Sequence, residues 1–146
     1  MNARLSAAIL ATVVAIVLSA HLGVAQNQER YKIRLSTVPM DGGMRETVAG
    51  AGTASAVLAG NKLTVTGTFD GMRTAATVAR LHNGLARGVR GAAVGDLVVT
   101  KAMSGTISGA LDLTPEQVQG LRKGQMYIQI SSEKAPDGNL WGWLLR

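Results

Sequence analysis

The chain has 146 residues, no cysteine, two histidines, two tryptophans, two tyrosines, one phenylalanine and a formal net charge of +6. Without a thiol it can hold no disulfide framework, thiolate metal site or lipid-modified cysteine, and a chain of this length needs only one core. Eighteen glycines against three prolines and few aromatic rings favour short strands and many turns over long helices.

The apolar run Leu5–Ala20 follows Arg4 and leads to Gly23-Val24-Ala25, which puts small residues at the −3 and −1 positions of a cut before Gln26. This predicts a secretory signal peptide over 1–25 and a periplasmic or secreted protein. The alternative is a retained membrane anchor, because Leu5–Ala25 is near the ~20 residues of a span, although His21 and Gly23 interrupt it. Cleavage removes Arg4 and lowers the formal charge from +6 by one. The remaining basic residues are spread along the chain with no block of like charge, so they read first as solubility charge. Nucleic acid is not expected, and membrane contact is expected only through an uncleaved signal segment.

Gln26–Arg30 reads as a polar lead-in, and 31–146 as one domain. Tyr31–Thr37 alternates, with Tyr31, Ile33 and Leu35 inward and Lys32, Arg34 and Ser36 outward. Val38–Gly52 reads as a long loop feeding a strand near Thr53–Leu58, with a turn at Gly60-Asn61. Lys62–Phe69 is the cleanest strand, with Leu63, Val65 and Phe69 on one face and Thr64, Thr66 and Thr68 on the other. Gly67 marks a bulge or a close backbone approach.

After Asp70-Gly71, Ala75–Leu81 forms a strand with Ala79 and Leu81 on the face opposite Val78, Arg80 and His82. Asn83–Gly95 reads as a glycine-rich loop before a short strand at Asp96–Thr100, and Thr106–Leu113 turns Ile107, Leu111 and Leu113 inward. Thr114-Pro115-Glu116-Gln117 carries a capping box with proline in the first turn, predicting one short helix with Val118 and Leu121 toward the core. The chain ends in a predicted hairpin that turns at Pro136-Asp137-Gly138-Asn139. Its first arm sets Met126, Ile128 and Ile130 on one face, and its second sets Leu140 and Leu144 opposite Trp141 and Trp143. About eight short strands and one short helix make an all-β Greek-key β-sandwich or barrel.

Three segments in order, Val48–Leu58, Ala79–Gly84, and Gly124–Ile130 continued by Pro136–Gly142, resemble the CHRD domain, named for the animal chordin proteins. The resemblance implies an exported Greek-key sandwich with no generally established enzymatic activity; in chordins the domain belongs to extracellular proteins that bind signalling ligands. Many members carry His-x-His in the central motif and a further His before the final turn, a layout similar to the metal ligands of copper/zinc superoxide dismutases. Here those positions hold Arg80, His82 and Ser131.

One imidazole beside a guanidinium, with no thiolate, is a poor donor set for zinc or copper, and no acidic loop dense enough for Ca²⁺ is present. No metal or other cofactor is therefore expected. Ser131–Lys134 matches a Ser-x-x-Lys spacing but falls at a strand end, where the two side chains do not meet, and no Gly-x-Ser-x-Gly elbow exists. No catalytic residue is assigned.

Two binding candidates remain. Arg80, Arg87 and Arg90 with His82 could gather around an exposed glycine loop and take an anion, against a solvated loop as the plain alternative. Trp141 and Trp143, two residues apart on one strand face, could form an exposed aromatic platform or could instead be core. The expected function is an exported, non-enzymatic binding or structural module contacting a protein or an envelope polysaccharide, with an anionic ligand favoured by the charge. A degenerate metal-binding protein with a superoxide-dismutase layout is the alternative.

Overall fold

The computed structural model describes residues 27–146, so the predicted signal segment at 1–25 lies outside the described residues. Among the described residues alternating apolar side chains produce eight strands: β1 (Glu29–Thr37), β2 (Ala51–Ala59), β3 (Lys62–Asp70), β4 (Ala76–Ala86), β5 (Val89–Val99), β6 (Gly105–Asp112), β7 (Met126–Ser132) and β8 (Ala135–Trp143). One helix, α1 (Pro115–Arg122), links β6 to β7. The sheet closes on itself in the order β1-β2-β3-β6-β5-β4-β7-β8, so the architecture is a barrel and not two separate sheets. Every neighbouring pair is antiparallel. The β3–β6 and β4–β7 neighbours are Greek-key crossovers, and the barrel closes through two short seams, Ser36 and Thr37 with Trp141 and Leu140, and Val98 and Val99 with Ser108 and Ile107.

Inward-facing residues from all sides meet in one core. Ile33 and Leu35 from β1, Leu63 and Val65 from β3, Leu81 from β4, Ile107 from β6, Ile128 and Ile130 from β7 and Leu140 from β8 are each no more than 2% exposed. Burying side chains of this size contributes about 1.5–3 kcal/mol apiece before the loss of conformational freedom is counted. Gly67 provides close approach without a bulge: it pairs with Ala54 in unbroken register, and a Cβ there would lie 2.5 Å from the Ala54 methyl.

The helix forms as its capping box dictates. Thr114 Oγ1 accepts from the Gln117 amide at 3.2 Å, and Gln117 Oε1 accepts from the Thr114 amide at 2.9 Å. Val118 and Leu121 join the main core, and Gly124 leaves the helix at φ 72°.

Four local expectations are corrected. β1 begins at Glu29, inside the expected lead-in, because Glu29 and Arg30 already pair with Leu58 and Val57. β2 starts at Ala51, and the loop before it contains a single 3₁₀ turn at Met44–Glu46. Asn83–Gly95 is not a loop. It is the end of β4 and the start of β5, a hairpin that turns at Arg87-Gly88 with Gly88 at φ 83°. Its glycines allow close approach instead: Gly84 faces Gly91, where a Cβ would come within 2.3 and 1.9 Å of backbone oxygens.

The last hairpin turns at Glu133-Lys134, not at Pro136–Asn139. Ser132 pairs with Ala135 and Ile130 with Leu140, so Ser131 alone faces the Pro136–Asn139 stretch, which is a wide bulge inside β8. Asn139 explains the bulge. Fully buried, it donates from Nδ2 to the Ala49 carbonyl at 2.8 Å, and its own carbonyl accepts from the Val38 amide at 3.1 Å, tying β8 to the β1–β2 loop.

Candidate functional site

β4, β7 and β8 lie side by side, and their register arranges the candidate residues in rows across the outside of the barrel. His82 pairs with Tyr127 and Tyr127 with Trp143; two residues along, Arg80 pairs with Gln129 and Gln129 with Trp141. These side chains point outward because their neighbours Ala79, Leu81, Ile128 and Ile130 fill the core.

Tyr127 sits at the centre of this wall. It faces away from the core yet is 1% exposed, because aromatic rings enclose it. His82 stacks on it at 4.8 Å with the planes 11° apart, Trp143 leans on it at 4.6 Å, and Trp141 meets it edge-on at 5.8 Å. The two indoles are 5.5 Å apart in an edge-to-face arrangement. Each such pair adds about 0.5–1.5 kcal/mol beyond simple burial.

The β5 backbone completes the enclosure. The Gly91 amide donates to the Tyr127 hydroxyl at 3.2 Å, and His82 Nδ1 lies 3.1 Å from the Gly91 carbonyl. Next to it Arg90 donates from Nη1 to the Asp137 carbonyl at 2.8 Å, with its guanidinium 5.8 Å from the Trp141 ring. Arg90 thus straps β5 across β4 and β7 to the bulge of β8. Burial pushes the His82 imidazole below its ordinary value; the bond to Gly91 opposes this, and the charges of Arg80 and Arg90 reinforce it.

The three arginines therefore do not gather on one loop. Arg80 pairs with Asp96 at 2.7 Å in an exposed ion pair, and Arg90 serves as the strap. Arg87, at the hairpin turn, faces a separate groove of about 310 Å³ lined by Lys32, Arg34, Arg87, Trp143, Leu145 and Arg146. Lys32 pairs with Leu145 and Ser36 with Trp141, and the same register sets Trp143 opposite Arg34.

Arg146 is bound to Glu29, which also takes the Arg122 guanidinium at 2.7 Å. Lys32, Arg34 and Arg87 have no acidic partner among the described residues. The two tryptophans thus differ. Both are half-buried, but Trp141 packs on a small cluster with Val38, Val48 and Ala135 under the Arg90 strap, whereas Trp143 forms a wall of the basic groove.

A family model for the CHRD domain matches residues 31–144. The chain belongs to the CHRD family. No curated protein and no solved structure gives a significant match to it.

In this CHRD domain the positions compared with metal ligands make other contacts. Arg80 is held by Asp96, His82 by Gly91 and the Tyr127 ring, and Ser131 pairs with Val78 and faces the bulge. Among the described residues no group of three or more His, Cys, Asp or Glu side chains is placed to hold a metal ion.

Lys32 and Arg34 belong to the groove, although the sequence marks them only as an outward strand face. Alternation showed their direction; what it lacked was the pairing of β1 with β8, a contact between opposite ends of the domain. Nothing in the alternation marks Tyr127, which lies between Met126 and Ile128 on what reads as a solvent face.

Proposed function

We propose that this CHRD domain is an exported, non-enzymatic binding module that holds an anionic partner at the cell envelope against the outer wall of its barrel. The observation that carries this reading is the groove in which Lys32, Arg34 and Arg87, without acidic partners among the described residues, surround the exposed part of Trp143. Cations left unpaired beside an indole offer a partner both charge and a flat apolar surface. Membership of the family supports a binding role, and the packed aromatic wall supplies a rigid support, which lowers the ordering cost of binding.

The test is retention of the purified protein on isolated envelope fractions. The triple variant Lys32→Gln/Arg34→Gln/Arg87→Gln is expected to lose the salt-sensitive part of that retention. Equal retention of the variant and the parent would remove the groove from the function. Fractionation of the producing cell, with the protein found outside the cytoplasm, tests the export part of the proposal.

A further inference from the structure

The basic groove does not end at β1. The pairing that sets Trp143 opposite Arg34 continues from Arg34 to Thr53, from Thr53 to Thr68 and from Thr68 to Thr106. A parallel row, two residues along each strand, runs from Lys32 through Ser55 and Thr66 to Ser108. All of these hydroxyl-bearing side chains are exposed. The concavities follow the same line: the groove at Trp143 shares Lys32 and Arg34 with one of about 670 Å³, which shares Thr53 and Thr68 with one of about 460 Å³. From Trp143 to Thr106 the track crosses four strand spacings, roughly 19 Å along the sheet.

Resting on the binding role proposed above, we infer that the track from Trp143 across Lys32 and Arg34 to the Thr53/Thr68 and Ser55/Thr66 hydroxyls binds a chain of sugar rings bearing anionic groups, an acidic polysaccharide. Each stretch matches one part of that chemistry. The half-buried indole of Trp143 offers a flat face to the C–H side of a pyranose ring. Lys32, Arg34 and Arg87 meet carboxylate or sulfate groups, and the guanidiniums suit bidentate pairing.

Beyond β1 the cations stop and paired hydroxyls take over, Ser55 Oγ and Thr66 Oγ1 lying 3.5 Å apart. Hydroxyls donate to and accept from sugar hydroxyls equally well. A nucleic acid strand, with a charge on every phosphate, would need cations along its whole path. This track instead carries Asp70 in its middle concavity. A polymer with sparser charge and many hydroxyls fits it better.

The test is the affinity of the purified protein for four polymers at one ionic strength: hyaluronate and kappa-carrageenan, which carry one carboxylate or one sulfate on every second ring, polyglutamate and oligothymidylate. One or both polysaccharides are expected to bind more tightly than polyglutamate and oligothymidylate, and the tighter of the two names the anion. Trp143→Ala is expected to weaken polysaccharide binding about tenfold. Thr66→Val/Thr68→Val, at exposed strand positions that valine fits well, is expected to weaken it about fivefold while leaving polyglutamate binding unchanged.

Polyglutamate or oligothymidylate bound as tightly as the sugars, or a threonine variant with full affinity, would overturn the inference. If no polymer binds while the triple charge variant still loses envelope retention, the polysaccharide inference falls and the binding role stands. If that variant also retains fully, both fall.

Discussion

His82 on β4 and Tyr127 on β7 are direct cross-strand partners whose rings stack at 4.8 Å with planes 11° apart. Through this contact and the two indoles an outward-facing ring on the barrel wall is as buried as the residues of the core. Tyr127→Ala is expected to lower unfolding free energy by about 3–5 kcal/mol, the cost of a cavity at a buried ring. Tyr127→Phe, which removes the hydroxyl that accepts from the Gly91 amide and donates to the Gly91 carbonyl, is expected to cost about 1 kcal/mol. Urea unfolding of both variants checks the pair; equal effects would show that the hydroxyl and not the ring stack holds the wall.

Stability is expected to depend on pH through His82. Burial lowers the folded imidazole below its ordinary value of 6.5, so the unfolded chain takes up the proton first as pH falls. The stabilising contribution is complete above 6.5, where the ring is neutral in both states. It is lost progressively as pH falls from there through the lower folded value. Unfolding curves between neutral and mildly acidic pH should show this slope in the parent and a shallower one in His82→Gln.

The seam between β1 and β8 depends on a missing side chain. A Cβ on Gly142 would lie 2.5 Å from Ile33 Cγ2 and 2.6 Å from the Arg34 carbonyl, and neither can withdraw without parting the strands. Gly142→Ala is expected to destabilise the barrel by about 1–3 kcal/mol. Because the same displacement moves Arg34 from Trp143, it should also weaken ligand retention. Thermal unfolding together with envelope retention reads both effects.

The α1 capping box gives a local prediction independent of the wall. Thr114→Ala is expected to cost about 1 kcal/mol, and Thr114→Ser much less, since serine keeps the oxygen that accepts from Gln117. Chemical denaturation of the two variants makes the comparison.

Most of the barrel could be read from the chain because strand alternation is a property of adjacent residues. Ile33 and Leu35, Leu63 and Val65, and Leu140 and Leu144 all face the core as their spacing requires. The errors fall where a local signal serves a distant contact. Pro136–Asn139 has the composition of a turn, but Asn139 is committed to Ala49 and Val38 far back in the chain, so the stretch bulges and Glu133-Lys134 turns instead. The glycines between Asn83 and Gly95 likewise suggested a loop, whereas Gly84 and Gly91 allow two strands to approach.

The candidate site was half legible for the same reason. Trp143 and Arg87 could be singled out by residue type, but their neighbours Lys32 and Arg34 come from the opposite end of the domain through the closure of the barrel. Arg80 and Arg90, equally basic in sequence, are bound to Asp96 and to the Asp137 carbonyl. No spacing along the chain separates these cations from the free ones.

The protein has two tryptophans, so Trp141→Phe leaves Trp143 as the sole indole reporter at the groove. Titrating that variant with hyaluronate or kappa-carrageenan while recording its emission is the most direct measurement of whether Trp143 and its unpaired cations form the binding face. A saturable change in emission that weakens as salt is raised, and is absent from the same variant carrying Lys32→Gln and Arg34→Gln, is the predicted result. Binding of the polymer with the emission of Trp143 unchanged, or an identical response in the charge-depleted variant, would contradict it.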